Sequence, residues 1–207
     1  MASLTILDHP LAGTWVTTLR DQSTGPLAYR ELTKRLTLLL VFEALKSIPT
    51  TASRVKTPLE ETDGTELAHG VAVVPILRAG LAMVEGVHAV LPDANVGYIG
   101  LERDEETAEA SEYYCKLPPL QDRVILLTDP MLATGGSAVH ALKVLRRHTS
   151  NPISLLSIIA APEGVARVRE AHPDVPIVTA ALDRELNAQA FICPGLGDFG
   201  DRLFGTT

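Results

Sequence analysis

Residues 124–137 read VILLTDPMLATGGS and run on into AVHALKVLRR. Val124, Ile125, Leu126 and Leu127 form an unbroken apolar run, the pattern of a strand buried on both faces. Asp129 follows at the strand's carboxyl end, and Ala133-Thr134-Gly135-Gly136-Ser137 is a loop of small residues. Ala138, Ala141, Leu142 and Leu145 then recur at helical spacing. The order is strand, acid, loop, helix. Such a loop leaves N–H groups unpaired at the positive end of a helix, which suits a phosphate. Gly135 and Gly136 let an anion approach the backbone closely, while Thr134 and Ser137 add hydroxyl donors. No lysine precedes Ser137, so there is no GxxxxGK[ST], and no GxGxxG is present. Two-glycine units of this kind are common in α/β proteins and most bind nothing. What distinguishes this one is Asp129, a carboxylate able to hold the hydroxyls of a ribose 5-phosphate whose phosphate rests on the amides further along.

The flanking sequence repeats the alternation. GVAVVPIL at 70–77 reads as a strand, 80–91 as a helix with Leu81, Val84, Val87 and Leu91 inward, and 96–101 as a strand. Further strands are expected at 153–160 and 175–182, with a short helix at 164–171 between them. Strands separated by helices of this size predict an α/β fold: a mainly parallel sheet, right-handed crossovers, helices on its faces. Upstream, 27–45 reads as a helix striped by Leu32, Leu36, Leu39 and Leu40. Residues 1–25 read as an extended arm with turns at His9-Pro10 and 23–26, 47–69 as connecting strands or loops, and 102–121 as polar and irregular.

Composition bounds the function. With 207 residues, 46% hydrophobic and 21% charged, one domain with a real core is expected. A net charge of −7 argues against a nucleic-acid binder, which wants a basic face. Cys115 and Cys193 are far apart and show no metal-ligand spacing, so reduced thiols and a cytoplasmic location are expected. Neither a secretory leader nor an apolar run of membrane-spanning length is read, and no membrane partner is expected. The six histidines show no HExxH, and there is no GxSxG nucleophile elbow.

In a parallel sheet ligands lie beyond the carboxyl ends of the strands. That selects Leu77-Arg78-Ala79-Gly80, Glu102-Arg103-Asp104, Asp129 and the glycine-rich tail 192–205. Arg78 alone is as easily a solvated surface residue, and 103–120 as easily an exposed loop. Phe191, Ile192, Phe199 and Phe204, however, give the tail apolar anchors that a disordered terminus lacks.

DPMLATGGS, VPILRAGLAM, RDEET, YYCKLP and PGLGDFGDRLFGT together resemble the uracil phosphoribosyltransferases of the type I phosphoribosyltransferase fold. The resemblance runs nearly end to end, including HPL and YREL near the N-terminus. It implies a single domain, 1–207, with an N-terminal arm at 1–25, a flap at 103–120 and a small uracil-binding hood at 183–207. It also implies transfer of the phosphoribosyl group of 5-phospho-α-D-ribose 1-diphosphate (PRPP) to uracil. Arg78, Arg103, Asp129 and Asp198 are then the catalytic set. Pro130, Met131, Leu132, Ala133, Thr134, Gly135, Gly136 and Ser137 bind PRPP together with those four, and Ile192, Gly197, Asp198 and Phe199 surround uracil. Mg²⁺ is implied as cofactor, held mainly by substrate oxygens and water rather than by protein ligands. A homo-oligomer, dimer or tetramer, is usual in the family, and GTP activates some relatives. Departures are Thr14-Trp15 where relatives often carry His-Lys, Phe199 where a small residue is usual, and Cys193 where Val is common. Two rivals stay open at this point: a phosphoribosyltransferase for another base, and an RNA-binding regulator of the same fold.

Overall fold

The computed structural model describes residues 3–103 and 110–206. The chain runs β1 (Leu4–Ile6), α1 (Pro10–Arg20), α2 (Pro26–Ala44), β2 (Thr50–Lys56), β3 (Glu61–Leu67), β4 (Gly70–Leu77), a 3-10 turn (Ala79–Met83) and α3 (Val84–Val90). It continues through β5 (Asn95–Val96), β6 (Tyr98–Arg103), β7 (Ala110–Lys116), β8 (Arg123–Thr128), β9 (Met131–Leu132), α4 (Gly136–His148) and β10 (Ile153–Ala160). α5 (Pro162–Ala171), β11 (Ile177–Leu182), β12 (Glu185–Leu186), β13 (Ile192–Cys193) and α6 (Phe199–Phe204) complete it.

The main sheet has the order β1-β11-β10-β8-β4-β6-β7, with β5 beside β4 and β9 beside β10. Every pairing in it is parallel except β6 with β7. Period-2 alternation divides the core between two faces. Val71, Val73 and Leu126 point to a cluster shared with α1, α2 and the tail, whereas Ala72, Val74, Ile125 and Leu127 point to one shared with α4 and α5. With both faces covered, the central strands need apolar residues at every position, which is why they read as unbroken runs.

Three expectations are corrected. Residues 1–25 are not an extended arm: Leu4–Ile6 joins the sheet edge and Pro10–Arg20 is a helix. Pro10 opens that helix, the His9 ring accepts the Leu11 N–H at 3.1 Å, and Ala12, Val16 and Leu19 are buried along one face. The polar stretch after residue 102 contains β7, paired antiparallel with β6. The helix expected at 80–91 begins as a 3-10 turn, which turns Leu81 outward (41% exposed) and buries Met83 instead. The segment 47–69, expected as connecting strands or loops, is an exposed two-stranded hairpin whose faces are both solvated. Residues 104–109, the centre of the expected flap, lie outside the described residues, as does the Arg103 side chain.

Candidate active site

β4 and β8 lie side by side, but the chain leaves β4 to build β6 and β7 on one side and leaves β8 to build β10 and β11 on the other. The two crossovers diverge and open a crevice beyond the strands' carboxyl ends. Arg78 emerges there, exposed, immediately after a cis Leu77–Arg78 peptide bond. The Thr128 hydroxyl reaches the Gly80 carbonyl at 3.4 Å and ties the two strand ends together. A cleft of about 770 Å³ opens at this point, with Arg78, Leu101, Met131, Ala133, Phe191 and Asp198 among its walls. It unites four separated parts of the sequence: the end of β4, β6, the loop after β8 and the tail.

Asp129 sits where β8 ends, its N–H donating to the Leu156 carbonyl at 3.1 Å. Burial pushes its carboxyl up to about 7, opposed only by a hydrogen bond from the Met131 N–H. Asp129 and residues 134–137 do not line the cleft itself but adjoin it through Met131 and Ala133.

The loop is fixed by the sheet. Met131 and Leu132 pair with Ile159 and Ala160, the Pro130 carbonyl accepts from the Ile158 N–H at 3.0 Å, and the Leu132 carbonyl accepts from Ala161 at 2.8 Å. Pro130 and Leu132 turn their side chains into the protein, so they offer backbone only, while Met131 and Ala133 face the cleft. Gly135 takes φ +77° as N-cap of α4, and a Cβ there would lie 2.9 Å from the Gly164 carbonyl. The first N–H groups of α4 have no intrahelical partner. That of Gly136 meets the Thr134 hydroxyl at a long 3.5 Å. The loop itself has no cation, but Arg167 of α5 brings its guanidinium to 3.4 Å from where a Cβ on Gly136 would stand. Sequence reading missed Arg167, which looks there like any exposed helix residue.

The tail divides by direction. Asp198 caps α6, its carboxylate accepting the Asp201 N–H at 2.9 Å, while remaining exposed at the cleft. Gly197 is exposed with φ +79°. Ile192 is 4% exposed and sits in the core cluster, so its backbone alone is available from the solvent side. Phe199 is likewise buried, edge-to-face on Tyr29 with ring centroids 5.2 Å apart. Sequence reading also missed the residues that hold this tail: Arg20, Arg30, Asp183 and Arg202.

Among the described residues, no group of three or more His, Cys, Asp or Glu side chains is placed to hold a metal ion, and no helix is long and apolar enough to cross a membrane.

A family model described as uracil phosphoribosyltransferase matches residues 6–206. The uracil phosphoribosyltransferase of Symbiobacterium thermophilum is 49% identical over 208 residues, covering 100% of both chains. That of Finegoldia magna is 50% identical, again over 100% of both. A solved protein of Aquifex aeolicus superposes with a TM-score of 0.93 at 40% identity, covering 99% of each chain. The adenine phosphoribosyltransferase of Trypanosoma brucei, solved with AMP, pyrophosphate and ribose-5-phosphate, shares the fold at 11% identity and TM-score 0.58, over 88% of this chain and 84% of its own. The architecture is that of the type I phosphoribosyltransferases, and the chain belongs to the uracil phosphoribosyltransferase family.

Proposed function

We propose that this protein transfers the 5-phosphoribosyl group of PRPP to uracil, releasing diphosphate and forming UMP. The observation that carries this reading is the convergence of Arg78, Met131 and Ala133 of the loop after β8, and the tail at one crevice, in a chain matching a uracil phosphoribosyltransferase over its full length.

Breaking the anomeric C–O bond develops positive charge on the ribose and negative charge on the departing diphosphate. Catalysis therefore calls for neutralisation and positioning rather than a covalent nucleophile. Arg78, exposed beside the cleft, meets the diphosphate, and Arg103 joins it from the end of β6. The amides and hydroxyls of 130–137, at the positive end of α4, cradle the 5-phosphate. Asp129 accepts from the ribose hydroxyls. A carboxyl with a pKa near 7 is poised for this, because hydroxyl donors and a nearby cation both favour its ionised form.

Uracil presents a donor N3–H flanked by two acceptor carbonyls, an edge that peptide groups can match. The backbone of Ile192, Gly197 and Phe199 reads it, with Asp198 between the base and the ribosyl diphosphate.

The donors here are hard oxygens, the Asp129 and Asp198 carboxylates and the substrate's own. They suit Mg²⁺, which is commonly held through phosphates, water and one or two carboxylates. When bound, the cation neutralises charge on the leaving diphosphate. The chain works in the cytoplasm, as its free Cys115 and Cys193 suggest, and as a homo-oligomer, with GTP as a candidate effector.

The test is incubation with PRPP, Mg²⁺ and a panel of uracil, cytosine, adenine and hypoxanthine, with nucleotide products separated by chromatography. UMP alone is expected. A purine nucleotide without UMP would assign the protein to another base, and no product with tight RNA binding would favour a regulator.

A further inference from the structure

The tail that meets the base is held by an ion pair lying outside the site. Asp183 directly follows β11 and is 6% exposed; Arg20 is the last residue of α1. Arg20 Nη1 donates to Asp183 Oδ2 at 2.8 Å, and Nη2 donates to Oδ1. The same Nη1 donates to the Gly195 carbonyl at 2.7 Å, and the Gly195 N–H donates to Asp183 Oδ2 at 2.9 Å. Both backbone polar groups of Gly195 therefore end in the pair.

The site admits no other residue at that point. Gly195 has φ +62°, and a Cβ there would lie 2.0 Å from the Ile192 carbonyl. One residue on, the Leu196 carbonyl accepts from Arg202 Nη1 at 2.8 Å. Arg202 also donates to the Leu19 and Asp21 carbonyls at the end of α1, and its guanidinium stands 4.7 Å from the Tyr29 ring centroid. The Gly195 carbonyl and N–H thus end on Arg20 of α1 and on Asp183, and the Leu196 carbonyl ends on Arg202, which itself grips the end of α1. Among the described residues, the N–H and C=O of Gly197 bond to nothing in the chain, and Gly197 is exposed.

We propose that Arg20 and Asp183 are positioning residues for base recognition: by fixing both sides of the Gly195 peptide, they orient the free peptide groups of Gly197 toward the base. This rests on the uracil reading above. A planar base edge is matched only if peptide donors and acceptors stand at set angles, so rotation of Gly195 misaligns its neighbour. Only guanidinium supplies the fork that grips a carboxylate at two points and a carbonyl besides.

The test measures KM for uracil and for PRPP, kcat and Tm in Arg20→Lys, Arg20→Gln and Asp183→Asn. Losing one or two charge-assisted hydrogen bonds should raise the uracil KM about tenfold in Arg20→Gln. The PRPP KM should stay within about twofold, since the phosphate loop is anchored to β10 and not to α1. Arg20→Lys should fall between wild type and Arg20→Gln. Asp183→Asn, nearly isosteric, guards against a variant that merely unfolds, and PRPP-induced thermal stabilisation should survive in all three. An unchanged uracil KM would overturn the proposal. So would equal rises in both KM values that track the loss of Tm, because that is the mark of a purely structural pair. Wild type making no UMP would remove the uracil reading, and the clamp with it; wild type making UMP beside an unaffected Arg20→Gln removes the clamp alone.

Discussion

Replacing Asp129 by Asn should make the protein more stable and nearly inactive, and the gain in stability should depend on pH. Burial raises the Asp129 carboxyl from its ordinary 3.8 to about 7. At 1.36 kcal/mol per unit, ionising it in the folded state costs about 4 kcal/mol at most. The residue as a whole is half-buried, and screening with local relaxation discounts this to about 2 kcal/mol. The sign follows from linkage. Below about pH 4 both folded and unfolded chains carry the proton, and the charge contributes nothing. Between about 4 and 7 the unfolded chain ionises while the folded one does not, so stability falls as pH rises and the full penalty is present above 7. Asn has no such penalty and can still accept the Met131 N–H. At pH 8 the variant should melt about 4–8 °C above wild type, and near pH 4 the two should coincide. Turnover at pH 8 should drop about a hundredfold or more, since two ribose hydroxyls lose an anionic acceptor. Scanning calorimetry at the two pH values, with initial rates of UMP formation, measures both effects. A Tm gain equal at both pH values, or none, would refute the buried-charge argument. An undiminished rate would remove Asp129 from the mechanism.

Phe199→Ala removes a ring that is 3% exposed and packed on Tyr29, and should cost about 3–5 kcal/mol, read as a Tm loss of about 10 °C by differential scanning fluorimetry. A loss of only a degree or two would mean the ring is not part of the core. Gly135→Ala forces a side chain into the left-handed region against the Gly164 carbonyl, at about 1–2 kcal/mol, and steady-state kinetics should show a raised PRPP KM with the uracil KM little changed. Arg167→Ala should raise the PRPP KM about two- to fivefold and flatten its dependence on salt, as expected of one exposed cation beside a phosphate. A salt dependence identical to wild type would set Arg167 aside.

The centre of the fold was legible because burial on both faces leaves no choice of residue: Val124, Ile125, Leu126 and Leu127 admit no reading but a central strand, and β8 spans Arg123–Thr128. The α2 stripe was equally plain, Leu32, Leu36 and Leu40 being buried as spaced. α1 was missed because His9-Pro10 signals a turn and a helix start alike. β7 was missed because it closes the sheet edge with Tyr113 and Tyr114 exposed, and an edge strand lacks the apolar run of a central one. The hairpin β2–β3 is solvated on both faces and so carries no period-2 signal. In the candidate site, Arg78 and Asp198, which line the cleft, could be picked from a strand end and the glycine-rich tail. Those that hold them could not: Arg20 and Asp183 are 163 residues apart, and nothing local in either marks the pairing.

This asymmetry follows from how the two halves of the site are supported. The phosphate half is backbone continuous with the sheet: β9 extends onto β10, and Leu132 is sunk in the core. It needs no special side chain to stay in place. The base half is a tail whose only regular structure is a pair of two-residue strands and one six-residue helix. Elements that short cannot hold a geometry alone. Its rigidity is imported from the opposite end of the chain, where Arg20 and the Leu19 and Asp21 carbonyls of α1 meet Asp183 and Arg202, and Arg30 of α2 reaches the Leu203 carbonyl at 2.9 Å. Charged side chains do this because the loop's small residues offer mainly peptide groups to grip, and a guanidinium can bind several carbonyls at once. The N-terminal helices thereby fix the tail without lining the cleft.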